Sequence, residues 1–435
     1  MINEMSVVER VRAMSGGDAV RDFRAHVRKA NKILKRLHHA EASGDGAMIR
    51  TLQNRFLQSH SAKLCAVALN VEFEKGLHVT SLHELAAQLD PFSDPGEPVK
   101  AWAKCKSLRG DWRPICEFGP YRRTCQSLIA FMLDARFGIH PLDYMATGRG
   151  ADVAVDRLKE LLDAGYEWFV LADIENCFGS VQPEEAAARL RLPMAVTRNC
   201  LMIRKEVPLT LPSYIPVDTT TLAFSEAVRM GLPQGARPAN RVMAHLLGPD
   251  FEALPQFEQG LFYGDDVALA ASSRKKAEAI AEALREMLAS HPAGPFRLKR
   301  LEIKHISEGF DYASYHLRSD AIEGHVKVTP SSKSYLRFRD KVLVLIRDKP
   351  VEEVYARVMK YRAQWLAAFP RYVRGVDQEV QAFNLLWQFA IESLPFPLRR
   401  KWERSCWLFE ATKQSPFDTL DDWLDIVKPL SLAGI

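Results

Sequence analysis

Three aspartates in the middle of the chain have the residue type and the setting of a metal site. Asp173 ends an apolar and aromatic run, EWFVLAD at 167–173, which predicts a buried strand. Asp265 and Asp266 lie between two short apolar segments within 261–271, which predicts two strands around a tight turn. Taken singly, each aspartate is also typical of an ordinary turn.

The chemistry of such a cluster follows from its charge. Adjacent carboxylates at a buried edge repel each other unless a cation compensates them. Mg²⁺ prefers oxygen ligands and takes the rest of its shell from water and substrate phosphates. Two such ions activate an attacking hydroxyl and stabilise a leaving pyrophosphate. The aspartates therefore predict a nucleotide polymerase that uses two Mg²⁺ ions.

The segments that must position these aspartates predict an α+β core. Strands are predicted at 113–118, at 167–173 and on both sides of the turn within 261–271. Helical spacing of apolar residues is found at 7–66 with a break at 43–46, at 124–137, at 151–164, at 274–290 and over most of the chain after Ser331.

Length and composition exclude several classes of protein. A chain of 435 residues predicts two to four subdomains, and 47% hydrophobic with 26% charged residues excludes a disordered chain. No apolar run approaches the roughly 18 residues of a membrane helix, and the N-terminus lacks the apolar segment of a secretory signal. Seven cysteines without a CxxC pair indicate neither a disulfide framework nor a zinc site. We therefore expect a cytoplasmic protein with no membrane partner.

Basic residues are concentrated near the two ends of the chain. The net charge is only +5, but residues 1–60 hold 11 Lys and Arg against 6 Asp and Glu, and residues 331–405 hold 15 against 8. Basic surfaces of this kind favour a polyanion partner such as RNA, although a merely solvated face is the alternative for any one residue.

The motifs around the aspartates resemble those of reverse transcriptases. Tyr263-Gly264-Asp265-Asp266 is similar to the YxDD signature of that family. Asp173, followed five positions later by Phe178, is similar to its first catalytic motif. Between them, GLPQG at 231–235 matches the GxPQG motif that contacts the template and the incoming nucleotide. The residues from 300 to 314 resemble a segment of group II intron reverse transcriptases.

The resemblance implies a right-hand polymerase fold with a helical N-terminal extension. The implied ranges are 1–95 for the extension, 96–165 for the fingers, 166–318 for the palm, and 319–435 for a helical thumb with a C-terminal tail.

The resemblance also implies roles for individual residues. The catalytic residues and metal ligands are Asp173, Asp265 and Asp266, with the backbone carbonyl of Ile174 completing the metal shell. The nucleotide-binding residues are Lys106, Arg113, Phe178, Gln234 and Arg300. The template and primer contacts are Gly231, Pro233, Gly235 and Tyr263.

Function follows from these roles. A bulky ring at Phe178 collides with a 2′-hydroxyl, so deoxynucleotides are expected as substrates and an RNA polymerase is disfavoured. We expect an RNA-directed DNA polymerase of the free-standing bacterial, defence-associated group, which uses dNTPs and a dedicated non-coding RNA and releases a DNA product. A maturase-like RNA scaffold without synthesis, and a retron-type or template-independent DNA polymerase, are the alternatives. The sequence leaves a partner protein and the oligomeric state open.

Overall fold

The computed structural model describes residues 1–13, 17–70, 79–94, 96–105, 112–211, 220–319, 326–369, 387–388 and 391–411. The chain divides into two compact units. The first comprises residues 1–150 and 160–304, and the second comprises residues 151–159 and 305–435.

The helices and strands of the described residues are numbered here in chain order. The helices are α1 Glu4–Arg12, α2 Gly17–Ala42, α3 Gly46–Gln58, α4 His60–Asn70, α5 Val79–Gln88, α6 Pro120–Phe137, α7 Ala151–Asp163, α8 Pro183–Arg189, α9 Met194–Cys200, α10 Thr221–Arg229, α11 Ala239–Glu252, α12 Arg274–Ser290, α13 Ser332–Asp348, α14 Val351–Ala367 and α15 Phe396–Ala411. The strands are β1 Val99–Cys105, β2 Trp112–Phe118, β3 Trp168–Glu175, β4 Leu209–Thr210, β5 Gln259–Tyr263, β6 Asp266–Ala271, β7 Arg297–His305, β8 Phe310–Tyr312, β9 Tyr315–Ser319 and β10 Val326–Pro330.

The N-terminal helices of the first unit pack around α2. Its apolar residues recur every three or four positions, so they lie on one face, and that face is fully buried at Phe23, Val27, Ala30, Leu34 and Leu37. Helices α1, α3, α4 and α6 pack against α2. The predicted break at 43–46 is confirmed, because the side chain of Asp45 accepts a hydrogen bond from the Met48 N–H (2.9 Å) and so caps α3.

A four-stranded sheet forms the centre of the first unit, in the order β5-β6-β3-β7. Strand β6 runs antiparallel to both β5 and β3. Its residues from Val267 to Ala271 are all buried, which explains why this strand is a continuous apolar run rather than an alternating one. Helix α12 packs on β3 and β6.

A second sheet of the first unit has the order β2-β1-β4. Strands β1 and β2 form an antiparallel hairpin in which Val99 lies opposite Phe118, and β1 pairs in parallel with the short β4. The strand predicted at 113–118 is therefore confirmed as Trp112–Phe118.

The second unit contains the antiparallel sheet β10-β9-β8 and three mutually packed helices, α13, α14 and α15. Aromatic rings form much of its core. Phe338 on α13 lies 5.0 Å from Trp365 and 5.5 Å from Tyr361 between ring centroids, and Tyr355 stacks on Trp402 of α15 at 5.7 Å.

The predicted α+β class is confirmed, with one difference in the C-terminal part. The range from residue 319 onward was expected to be helical, but Val326–Pro330 forms strand β10, which pairs with β9. A five-residue segment gives little periodic signal, so its strand character depends on the partner strand. Among the described residues, no helix has the length and apolar character needed to span a membrane.

Candidate active site at the acidic edge of the four-stranded sheet

Strands β3 and β6 place two of the three aspartates directly opposite each other. Asp173 near the end of β3 and Asp266 at the start of β6 are partners in the antiparallel register. Opposed residues of such a pair have Cα atoms about 4.5–5.5 Å apart. Both aspartates are half-buried. Two carboxylates from distant parts of the chain therefore meet at one edge of the sheet.

A two-residue turn adds the third aspartate. Tyr263 pairs with Asp266, so Gly264 and Asp265 alone form the turn between β5 and β6. Gly264 has a φ of +70°, which suits glycine at the first central position of a tight hairpin turn. The Ile174 N–H donates a hydrogen bond to the backbone oxygen of Asp265 (3.1 Å), which fixes the turn beside Asp173. We call Asp173, Asp265 and Asp266 the acidic edge.

Neighbouring groups respond to the charge of the acidic edge. Burial raises the pKa of the Cys177 thiol, and the nearby charges of Asp265 and Asp173 raise it further. The Nη2 atom of Arg300 lies 3.5 Å from Oδ1 of Asp266. The Nε atom of Arg300 is buried without a hydrogen-bond partner among the described residues. Arg300 thus offsets part of the negative charge of the acidic edge, and its Nε–H makes no hydrogen bond to the described residues.

The GLPQG segment begins against the loop that follows β3. The Leu232 N–H donates to the backbone oxygen of Phe178 (2.8 Å). Gly231 has a φ of +59°, and a Cβ atom on it would lie 2.2 Å from the same oxygen. Only glycine allows this close backbone approach. Gly231 therefore ties the segment to Phe178, the predicted sugar-selecting residue.

The other end of the GLPQG segment lies against β2. The Cys116 N–H donates to the backbone oxygen of Gln234 (2.8 Å), and Gly235 lies in contact with the Cys116 carbonyl. Arg113 lies three residues before Cys116 on the same strand, opposite Lys104 of β1. The segment therefore connects the strand that carries Arg113 to the loop that carries Phe178.

The structure brings most of the predicted site residues into two adjoining groups. The acidic edge, Ile174, Tyr263 and Arg300 form one, and Phe178, Arg113 and the GLPQG residues form the other. Pro233 is buried within the segment. Lys106 lies outside the described residues. The catalytic and binding roles of these residues stay predictions.

The donor chemistry of the acidic edge fits Mg²⁺, because three half-buried carboxylates supply oxygen ligands only. Within the described ranges, however, no three His, Cys, Asp or Glu side chains already surround a common point where a metal ion would fit. The metal is therefore part of the functional proposal rather than a feature of the structure.

Sequence reasoning missed the loop between α6 and α7. The Tyr144 N–H donates to the backbone oxygen of Phe262 (3.0 Å), and the Phe262 N–H donates to that of Leu142 (2.8 Å). The composition of this loop indicates a turn-rich connection, but a backbone contact between segments more than 100 residues apart has no local signal.

Comparison with known proteins identifies the central part of the chain. Residues 103–294 match the family model described as "Reverse transcriptase (RNA-dependent DNA polymerase)". These residues are a reverse transcriptase domain. The match confirms the resemblance found in the motifs of this part of the chain. The three aspartates and the GLPQG segment all lie within it.

Similar solved structures are distant from this chain. Telomerase from Candida albicans in complex with the TWJ fragment of telomeric RNA is 9% identical, with a TM-score of 0.35, and apo telomerase from Candida tropicalis is 10% identical, with a TM-score of 0.38. Each alignment covers 77% of this chain, and 66% and 70% of the two telomerase chains. This chain thus spans just under two thirds of the first of them. Among curated proteins, none matches this sequence.

Proposed function

We propose that the protein extends a DNA strand on an RNA template by two-metal nucleotidyl transfer at the acidic edge. The observation that carries the proposal is the register pair Asp173–Asp266, with Asp265 fixed beside it by the Ile174 hydrogen bond, inside a reverse transcriptase domain. Like charges held together are costly for folding alone, and this favours a functional role.

Each residue group has a defined task in this proposal. Asp173 and Asp265 would hold both Mg²⁺ ions, with Asp266 beside them, and the Ile174 carbonyl would complete the shell. When bound, the ions activate the attacking hydroxyl and stabilise the leaving pyrophosphate. Arg300, 3.5 Å from Asp266, keeps that carboxylate in place before the metal arrives.

The nucleotide is held by the second residue group. Arg113, together with Lys106, neutralises the triphosphate, because a planar guanidinium donates several hydrogen bonds to phosphate oxygens. Gln234 contacts the incoming nucleotide, while Gly231, Pro233, Gly235 and Tyr263 support the template and primer. The hydrogen bond between Cys116 and Gln234 supports this assignment because it brings β2 next to the GLPQG segment.

Primer extension on an RNA template tests the proposal. The variant with both Asp265→Ala and Asp266→Ala should lose Mg²⁺-dependent incorporation by at least about 1,000-fold, which corresponds to about 4 kcal/mol of transition-state stabilisation. Asp163→Ala, an exposed aspartate at the end of α7, is the matched control and should keep full activity. Activity of the double variant within twofold of wild type would contradict the polymerase proposal.

The choice of sugar is assigned to Phe178. Replacing it by Ala removes the ring that excludes a 2′-hydroxyl, so the preference for dNTPs over NTPs, measured as the ratio of kcat/KM values, should fall by about tenfold or more. Phe257→Ala removes another half-buried ring outside the site and should leave the ratio unchanged. An unchanged ratio in Phe178→Ala would assign sugar selection to another residue.

A dedicated non-coding RNA is the proposed partner. The two basic regions together carry 26 Lys and Arg against 14 Asp and Glu, from 11 with 15 and from 6 with 8. Binding should weaken by orders of magnitude between about 50 and 200 mM salt if six or more phosphates are contacted. Sequencing of RNA that copurifies with the protein should return one enriched species. Recovery of random cellular RNA would reject the dedicated RNA and leave the polymerase proposal intact.

We also propose a biological role in antiviral defence. The resemblance to free-standing bacterial reverse transcriptases supports an antiviral enzyme of the bacterial cytoplasm. Phage plating on a bacterial host tests it: wild type should reduce plaque numbers and Asp265→Ala should not. Equal plaque numbers with wild type and with no protein would reject the defence role.

A further inference from the structure

The loop between α6 and α7 lies along the outer edge of β5, next to the acidic edge. Strand β5 is one of the two edge strands of the four-stranded sheet. Its residue Phe262 exchanges two backbone hydrogen bonds with the loop, at Leu142 and Tyr144, and forms a parallel bridge with Asp143. We call residues 140–149 the edge loop. The edge loop therefore continues the sheet beyond β5 for a short distance.

Met145 of the edge loop contacts the turn that carries Asp265. A Cβ atom built on Gly264 would lie 2.8 Å from the Met145 sulfur, so the sulfur packs directly over this glycine. Met145 is 37% exposed, so it covers the turn from the solvent side. The contact falls on the residue immediately before Asp265.

The charged side chains of the edge loop stabilise the loop itself. The Nη1 atom of Arg149 donates to the backbone oxygens of His140 (3.3 Å), Pro141 (2.9 Å) and Asp143 (2.7 Å). The Arg149 guanidinium also lies 4.8 Å from the centre of the Tyr144 ring. The carboxylate of Asp143, which is 5% exposed, accepts the Met145 N–H (2.9 Å). Arg149 thus holds the loop in one conformation and keeps Met145 in place.

We propose that the edge loop is a positioning element of the active site: Met145 and the β5 edge hold the Gly264–Asp265 turn in the orientation that presents the Asp265 carboxylate. The Ile174 hydrogen bond holds the Asp265 side of the turn, and the Met145 sulfur contacts its Gly264 side, so the two contacts together fix both central residues of the turn. Active-site groups must be held within about 0.5 Å of their working geometry, and a 1 Å displacement costs about 100-fold in rate.

An alternative role for Arg149 would be to bind substrate phosphate. Its contacts argue against that role, because Nη1 already donates to three carbonyl oxygens that close the loop. A lysine at this position lacks the planar group that both stacks on Tyr144 and reaches the carbonyls, so it would not replace the arginine.

Met145→Ala and Arg149→Lys test the inference, which rests on the proposed function. In primer extension, both variants should lower kcat by about tenfold and leave the KM for dNTPs within twofold, because the nucleotide contacts are untouched. Met145→Leu keeps the volume of the side chain and should restore kcat to within about threefold of wild type. Met48→Ala, a similarly exposed methionine on α3, is the matched control and should behave as wild type.

Hydrogen exchange gives a readout that does not depend on catalysis. In Met145→Ala the amides of residues 259–271 should exchange about tenfold faster, since the turn opens locally more often, while Met48→Ala leaves them unchanged. Unchanged kcat and unchanged exchange in Met145→Ala would overturn the proposal. A raised KM for dNTPs with unchanged kcat would also overturn it, because that result assigns the loop to nucleotide binding. If wild type itself incorporates no nucleotide, faster exchange in Met145→Ala still supports the positioning role, while the proposed function fails.

Discussion

The acidic edge and the buried network around Arg122 differ in how their charged side chains are arranged. Arg122 on α6 is 2% exposed and donates to the backbone oxygens of Glu97 (3.1 Å) and Asn199 (2.8 Å) and to Oδ1 of Asp94 (2.8 Å). Asp94 also accepts from Arg204 (2.8 Å). In this network opposite charges alternate. At the acidic edge, three carboxylates of the same sign are held together and left half-exposed.

The pKa of Asp94 shows how far the network favours its charged form. Burial by itself would raise this pKa, but the hydrogen bonds from Arg204 and the Gly96 N–H, with the charge of Arg122, leave it below its ordinary value. Breaking the network should therefore lower the free energy of unfolding. At the acidic edge, by contrast, repulsion between like charges opposes folding. The comparison separates the residues that stabilise the fold from those that are proposed to perform the chemistry.

The largest effect is expected on activity, from Asp173→Asn. The substitution removes a ligand charge and should lower Mg²⁺-dependent incorporation by about 1,000-fold, or about 4 kcal/mol. The free energy of unfolding should stay the same or rise by up to about 1 kcal/mol, because repulsion between carboxylates is relieved. Primer extension and urea unfolding of the same preparation measure both quantities. A large loss of stability would show that Asp173 stabilises the fold, and would contradict the difference between the acidic edge and the Arg122 network.

The reverse pattern is expected for Arg122→Met. It takes one of several donors from the half-buried Asp94 and leaves two carbonyl oxygens without their Arg122 donor, so the free energy of unfolding should fall by about 3–5 kcal/mol. The activity per folded molecule should change little, because Arg122 is not part of either site group. Arg285→Met on α12 removes an exposed partner of Glu282 and is the control, with a loss of at most about 0.5 kcal/mol. Equal losses in the two arginine variants would show that the network adds no stability.

A smaller effect is expected on the pH dependence of folding stability. It comes from His245, a buried residue outside both regions. Burial, reinforced by repulsion from His140, lowers the pKa of His245 to about 4. In the unfolded chain this histidine takes up a proton near pH 6.5, whereas in the folded chain it does so only near pH 4. The free energy of unfolding therefore falls as the pH drops from 6.5 to 4, by about 3 kcal/mol in total. Urea unfolding at pH 7.5 and 4.0 measures this loss.

His245→Gln should remove most of that pH dependence, because glutamine does not titrate in this range. His39→Gln, an exposed histidine on α2, is the control and should keep the wild-type dependence. The same dependence in wild type and His245→Gln would assign the acid sensitivity to other groups, such as His291, whose pKa is also lowered by burial.

Much of the acidic edge could be predicted from sequence because its signals are local. The apolar runs before Asp173 and around Asp265 have the length and residue types of strands, and Gly264 marks the turn. The break before α3 was also predicted, from the segment 43–46. The second break, at Ser59 between α3 and α4, was missed, because the chain there contains no glycine or proline.

The remaining features depend on contacts between distant segments. No local pattern indicates that Cys116 bonds to Gln234 or that Met145 covers Gly264. The hydrogen bonds from Arg122 to Asp94 and Asn199 have no local signal either. Such contacts arise only when the folded chain brings the segments together, so the sequence predicted the strands and the turn of the acidic edge but not the contacts around them.

The hydrogen bond between Cys116 and Gln234 also anchors β2 to the GLPQG segment at one point along the strand. Arg113 lies three strand residues away, or about 10 Å at 3.3 Å per residue. A rotation of the hairpin by about 10° around Cys116 would therefore move Arg113 by about 1.7 Å, enough to make or break a hydrogen bond to a phosphate. The same rotation would pull on the loop after β3, since the GLPQG segment also bonds to Phe178 through the Leu232 N–H. The position proposed for Arg113 at the triphosphate and the strand that carries Asp173 are thus mechanically coupled through one five-residue segment.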